Sequence, residues 1–153
     1  MIADAAVWAW IGFVAMAAGT VAPLWAWLSR DASGESHAKY YLTLAGVTGI
    51  AALAYLAMGL GVGVVSTPGG DLEIVRYVDW LLTTPLLLLY LGLLARPSRG
   101  VLVGLIGVDV VIIGAGIAAS ATTGTISWAL FGVGGVAYVA LVYGLLVTLP
   151  QSA

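Results

Sequence analysis

The sequence predicts an all-α membrane bundle of five transmembrane helices, and two observations carry the prediction. Apolar residues make up 62% of the 153 and charged ones only 8%, too little polar surface to solvate a sphere of this size. The apolar residues also fall into successive runs of roughly 20, the length a helix needs to cross a bilayer, with short polar breaks between them. Water is the wrong solvent for such a chain.

The spans are expected at Ala6 to Leu28, Tyr40 to Gly61, Ile74 to Ala95, Gly100 to Ala121 and Ile126 to Leu149. Barrel strands would be about 10 residues long and alternate between faces, whereas these runs are long and apolar all round, so helices satisfy the backbone in lipid. Together they fill residues 1–153 as a single transmembrane domain. The start, Met1-Ile-Ala-Asp4, lacks the basic opening of a secretory signal and flows into a full-length span, so no removable leader is expected. There are no cysteines, which excludes disulfides and thiolate metal sites, and a net charge of -2 gives no footprint for nucleic acid.

Basic residues set the orientation. Arg30 and Lys39 flank the first connection, Arg96 and Arg99 the third, and the second and fourth offer only Asp71 and Glu73. The positive-inside rule makes the first and third cytoplasmic, which places the N-terminus outside the cell and the C-terminus inside. The first loop, Ser29 to Lys39, is the most polar segment, with Asp31, Ser33, Gly34, Glu35, Ser36 and His37. His37, the only histidine, reads as a solvated loop residue beside Glu35 and Lys39. In the third connection, Arg96-Pro-Ser-Arg99, Pro97 ends one helix and the next begins near Gly100. In the second, Thr67-Pro-Gly-Gly70 suits a type II turn with Gly69 at the third position, and its β-branched flanks predict a small hairpin capping the extracellular side.

Soluble-enzyme motifs are absent: there is no GxGxxG, P-loop, HExxH or GxSxG, and nothing supports an enzyme or a metal site. The chemistry lies in the third span. Ionisable residues inside a membrane cost several kcal/mol each, so each marks a site. Arg76 and Asp79 lie three apart on one helical face, where opposite charges can screen one another. Thr83 follows Asp79 by four and can hydrogen-bond it. Tyr90 follows by eleven, on the same face and about 16 Å nearer the cytoplasm. An interfacial ion pair closing a helix end is the plain alternative. Against it stand Trp80 beside the acid and Thr83, Thr84, Pro85 and Leu87 below, a flat aromatic wall with a polar strip and an in-helix proline.

The run Arg76-Tyr-Val-Asp-Trp-Leu-Leu-Thr-Thr-Pro-Leu-Leu-Leu-Leu-Tyr90 closely resembles the third-helix signature of haloarchaeal rhodopsins, and the similarity extends through all five spans. The resemblance implies a seven-helix rhodopsin bundle around all-trans retinal, held as a protonated Schiff base on a lysine of the seventh helix. It matches Asp79 to the counterion and proton acceptor, whose negative charge keeps the Schiff base protonated in the dark. It also matches Arg76 to the gating arginine of the extracellular path, Thr83 to a hydrogen-bond partner of the counterion, and Tyr55 to a tyrosine near it. Pocket positions are implied at Tyr77, Trp80, Thr84 and Leu87 on this helix, Ile112 and Gly116 on the fourth, and Phe131 and Gly134 on the fifth. Without the resemblance, these read as ordinary membrane packing. Asp109, a second acid at membrane depth, matches a hydrogen-bonding acid near the retinal ring, and a purely helix-to-helix hydrogen bond is the equal alternative.

Efficient outward pumps of this family carry an acid three turns cytoplasmic of the counterion, and here that position is Tyr90. A phenol holds its proton too tightly to return one quickly. Slow return suits signalling, and Ala129-Leu-Phe-Gly132 with Leu89 to Ala95 is most similar to sensory rhodopsin II, the phototaxis photoreceptors that act on a membrane transducer; middle rhodopsins fit these residues as well. A proton pump and a five-helix scaffold without photochemistry are the alternatives. The family has seven helices and this chain has five, with Lys39 its only lysine, in a cytoplasmic loop. The expectation is therefore an N-terminal piece of a receptor, whose helices F and G, carrying the retinal lysine, come from the rest of the protein or from a second fragment.

Overall fold

The computed structural model describes residues 2–29 and 35–151. Five long helices follow one another as α1 (Ile2–Leu28), α2 (Glu35–Gly59), α3 (Ile74–Ala95), α4 (Arg99–Ala121) and α5 (Gly124–Tyr143). A hairpin of β1 (Val64–Thr67) and β2 (Gly70–Glu73) stands between α2 and α3. After α5 the helix widens to a π turn at Gly144–Thr148 and closes with one α turn, Leu149–Gln151. Each long helix packs on its predecessor in sequence. All five are long and apolar enough to cross a membrane, with mean hydropathy between 1.6 and 2.5. The protein is a multi-pass membrane bundle.

Most expected boundaries agree with the structure to within a few residues, and the second span is the main correction. It starts at Glu35, not Tyr40, so His37 and Lys39 belong to a helix instead of a loop, and it ends at Gly59, two residues early. Charged residues are good helix formers in water, so the helix extends past the apolar stretch and out of the bilayer. Arg30, Asp31, Ser33 and Gly34 lie outside the described residues. At the third connection Arg96 takes a left-handed conformation (φ 54°) and its N–H bonds the Gly92 carbonyl. The Ser98 hydroxyl then accepts from the Val101 N–H, which starts α4 at Arg99, one residue before the expected Gly100.

Alanines share the core with a cluster of leucines, Leu88, Leu105, Leu141 and Leu149. Ala9, Ala45, Ala51, Ala52, Ala54, Ala115 and Ala119 are buried, while Trp25, Trp128 and Leu146 lie on the outer surface. Lipid offers no hydrophobic drive between helices, so close approach and hydrogen bonds hold them together. Between α1 and α2, Gly19 lies against Thr48, and the Thr20 hydroxyl donates to Thr48 Oγ1 at 3.1 Å.

The predicted hairpin is present, antiparallel, with Val64 opposite Glu73 and Thr67 opposite Gly70. Its turn differs from expectation, because the positive φ falls on Gly70 (120°) and not on Gly69. Gly69 is glycine for another reason: a Cβ there would overlap the Ser120 main-chain oxygen at the end of α4. The turn thus docks backbone to backbone on α4. Gly69→Ala is expected to lift the hairpin off α4 and cost about 1–3 kcal/mol, measurable as a lower unfolding midpoint in detergent.

Candidate functional site

The N-terminal half of α3 carries the charged residues into the bundle. The hairpin delivers Glu73 to the helix start, and from there Arg76 and Asp79 follow at three-residue steps. Asp79 is 6% exposed, and its Oδ1 has no hydrogen-bond partner among the described residues. Arg76 does not cover it. The guanidinium makes its ion pair with Glu73, at the wetter end of the helix, where the two side chains are 49% and 34% exposed. The direct ion pair of Arg76 is thus with Glu73, while Arg76 and Asp79 face the same cleft. An ion pair near water loses less hydration than one drawn to a buried acid.

Glu73, Arg76, Asp79 and Trp80 share one cleft of about 890 Å³ with Tyr55 of α2 and with residues of α1. The Tyr55 ring lies over Gly12, where any Cβ would strike it. The Thr83 hydroxyl is buried one turn below Asp79 and donates to the Asp79 main-chain carbonyl at 2.8 Å.

A second polar centre joins α3 to α4. Thr84 Oγ1 lies 2.6 Å from Asp109 Oδ2 and 2.7 Å from the Trp80 main-chain oxygen. A hydroxyl has one proton to donate, so Thr84 shares it between the Asp109 carboxyl oxygen and the Trp80 main-chain oxygen. Asp109, 6% exposed, therefore makes the helix-to-helix bond that the sequence left as one of two options. Thr84→Val is expected to leave the Asp109 carboxyl unpaired and to cost about 1–3 kcal/mol, read as a lower unfolding midpoint.

Other expected pocket residues divide between packed and exposed. The Tyr77 hydroxyl bonds Ser120 Oγ at 2.9 Å, and the Tyr77 and Trp80 rings meet edge to face at 5.7 Å. Gly134 of α5 lies against Ala115 and the Ile112 carbonyl of α4, and Gly116 is half-buried beside them. Leu87 and Phe131 are exposed, Phe131 edge-on to Trp128, and neither lines the cleft at Asp79. Toward the C-terminal end of α3, Tyr90 meets Tyr40 edge to face at 6.2 Å, and the Tyr40 hydroxyl donates to the Leu93 carbonyl at 3.0 Å. Lys39 lies over the Tyr40 ring, 5.2 Å from its centre, so the one lysine of the chain stands at the opposite end from Asp79.

In the sequence Glu73 reads as a loop acid. Its spacing of three before Arg76 was the available signal. Tyr40 carried no such signal, since its pairing with Tyr90 is a contact between helices.

Known proteins with this sequence pattern agree on a family. The bacteriorhodopsin-like protein family matches residues 4–153. The chain is 49% identical to sensory rhodopsin-2 of Halobacterium salinarum, across 95% of this chain and 60% of that protein. It is 43% identical to sensory rhodopsin-2 of Natronomonas pharaonis, across 94% and 59%. The crystal structure of a light-driven proton pump, the rhodopsin of Coccomyxa subellipsoidea, superposes with a TM-score of 0.83 at 33% identity, covering 97% of this chain and 67% of that one. The chain spans about three-fifths of the length of these curated relatives. With its five apolar spans and its third-helix acid, this chain belongs to the bacteriorhodopsin-like family of microbial rhodopsins.

Proposed function

We propose that this chain forms the first five helices of a retinal-based light sensor of the cell membrane, its N-terminus extracellular and residues 1–153 a single transmembrane domain. One observation carries the reading: Asp79 Oδ1 is shut away from water with no partner of its own. A carboxylate in that position calls for a cation. Among the described residues, Arg76 is engaged by Glu73, and Lys39, Arg96 and Arg99 stand at the far end of α3, which supports a cation from outside these helices. A protonated Schiff base of all-trans retinal, on a lysine of the two further helices F and G, fits that requirement.

Retinal, when bound, supplies absorption of visible light and a cationic N–H that is displaced on illumination. The chain's own residues do the rest. Asp79 holds the negative charge in the dark and takes up a proton at its carboxylate after light. Thr83 and Arg76 flank it on the same helix, below and above. Tyr77, Trp80, Thr84 and Leu87 of α3, Asp109, Ile112 and Gly116 of α4, and Phe131 and Gly134 of α5 form the walls against the polyene. The Thr84 to Asp109 bond holds α3 and α4 in register across that wall.

Tyr90 favours a sensor over a pump. It occupies the position from which a proton would return, and its ring packs edge to face against the Tyr40 ring of α2. Slow return leaves time for a conformational signal to reach a membrane transducer, a coupling between the chromophore site and a partner surface. A light-driven outward proton pump is the second reading, favoured by the overlay on a proton pump at 33% identity.

Flash spectroscopy of the retinal-loaded protein with its full complement of helices separates these readings. A recovery far slower than milliseconds, altered by an added transducer, supports the sensor. Recovery on the order of milliseconds with sustained acidification of the medium supports the pump. No visible band at all would remove both.

A further inference from the structure

Arg76 stands midway between two carboxylates of its own stretch of chain. Glu73, at the N-cap of α3, is three residues before it and Asp79, on the helix, three after, and all three line the same cleft. The guanidinium can serve either acid. It pairs with Glu73, half exposed, and leaves the Asp79 oxygen orphaned.

Solvation explains the choice and also makes it delicate. At the mouth of the cleft the pair keeps part of its hydration, and such pairs are worth little net. Turning inward would strip water from the guanidinium but bring it to an uncompensated buried charge, where attraction is stronger. Without Glu73, the outward position loses its only ionic partner among the described residues. No other acid among the described residues of the cleft replaces it. Asp71 on β2 is held by the Ser66 hydroxyl at 2.7 Å, Tyr77 is bonded to Ser120, and the remaining titratable lining residue, Tyr55 of α2, carries no charge to offer in its neutral form.

We infer that Glu73 is a positioning residue: it holds the Arg76 guanidinium at the extracellular mouth, off Asp79, and so reserves the Asp79 carboxylate for a different cation. The structural part concerns this chain's residues alone. The functional consequence rests on the photoreceptor reading.

Solid-state NMR of isotope-labelled protein in lipid bilayers without retinal reads the partner of Arg76 directly. In the native protein, guanidinium nitrogens transfer magnetisation to the Glu73 side-chain carboxyl carbon and not to that of Asp79. In Glu73→Gln the transfer to Asp79 appears, and Glu73→Asp, which keeps the charge, suppresses it again. A transfer to Asp79 already present in the native protein, or missing from Glu73→Gln, overturns the inference. In the retinal-loaded pigment, the acid-induced colour change of Glu73→Gln moves to lower pH by about one unit, a tenfold change in proton affinity. That shift is absent when Arg76→Gln is present as well, as required of a residue that acts through Arg76. An equal shift in both backgrounds overturns the inference, since Glu73 would then act by its own field. Should no pigment form, the photoreceptor reading fails while the NMR result still decides the role of Glu73.

Discussion

Asp79→Asn in the complete pigment is expected to abolish the acid-induced colour change and to slow light-driven deprotonation by about 100-fold or more. The reasoning is electrostatic. The amide is close in size to the carboxyl, so the packing around a 6% exposed side chain survives, but the negative charge and the proton-accepting oxygen are both lost. A chromophore cation facing that position loses its compensating charge and its nearest acceptor in one step. Absorption spectra across a pH series, together with flash kinetics, read both effects. If colour and its pH response stay as in the native pigment, Asp79 is not the counterion and the functional reading falls with it.

Tyr90→Asp is expected to speed recovery of the dark state by about 10- to 100-fold with little change of colour. Tyr90 lies eleven residues beyond Asp79, about 16 Å along α3, too far to tune the chromophore's charge environment strongly. Its effect is on proton supply. A carboxyl there yields its proton far more readily than a phenol does. The change also removes the ring that meets Tyr40, which loosens the aromatic contact between α2 and α3. An unchanged recovery time would mean that protons return by a route that avoids this face of α3, and the sensor reading would lose its kinetic basis.

Much of the site was legible before any coordinates, because it sits on one helix. Residues at three- and four-step spacing on α3 share a face whatever surrounds them, so Arg76, Asp79, Thr83 and Tyr90 could be aligned from the sequence alone. Which partner each of them takes was not legible. Arg76 has an acid three residues away in both directions, and the sequence pattern is symmetric between them; the structure pairs it with Glu73 because that acid, at the helix start, keeps access to water while Asp79, further along α3, is buried. The Thr83 hydroxyl is four residues from Asp79 and reaches its main-chain carbonyl, the acceptor that a helical threonine finds nearest. The start of α2 was misjudged for a related reason. Polarity marks the edge of the bilayer, whereas a helix ends where its hydrogen bonds end, and at Glu35 to Lys39 the two do not coincide.

The sequence by itself determined that the chain crosses a membrane five times, where a hairpin interrupts the helices, and that an acid is carried to bilayer depth on α3. These are properties of local composition and period, which each segment expresses without reference to the others. Only the tertiary structure decided that Gly69 rests on the end of α4, that Thr84 of α3 binds Asp109 of α4, and that Tyr40 of α2 closes over Tyr90 of α3. Each of these joins residues far apart in the chain, and the geometry that brings them together is set by how whole helices pack, which no single stretch of sequence encodes.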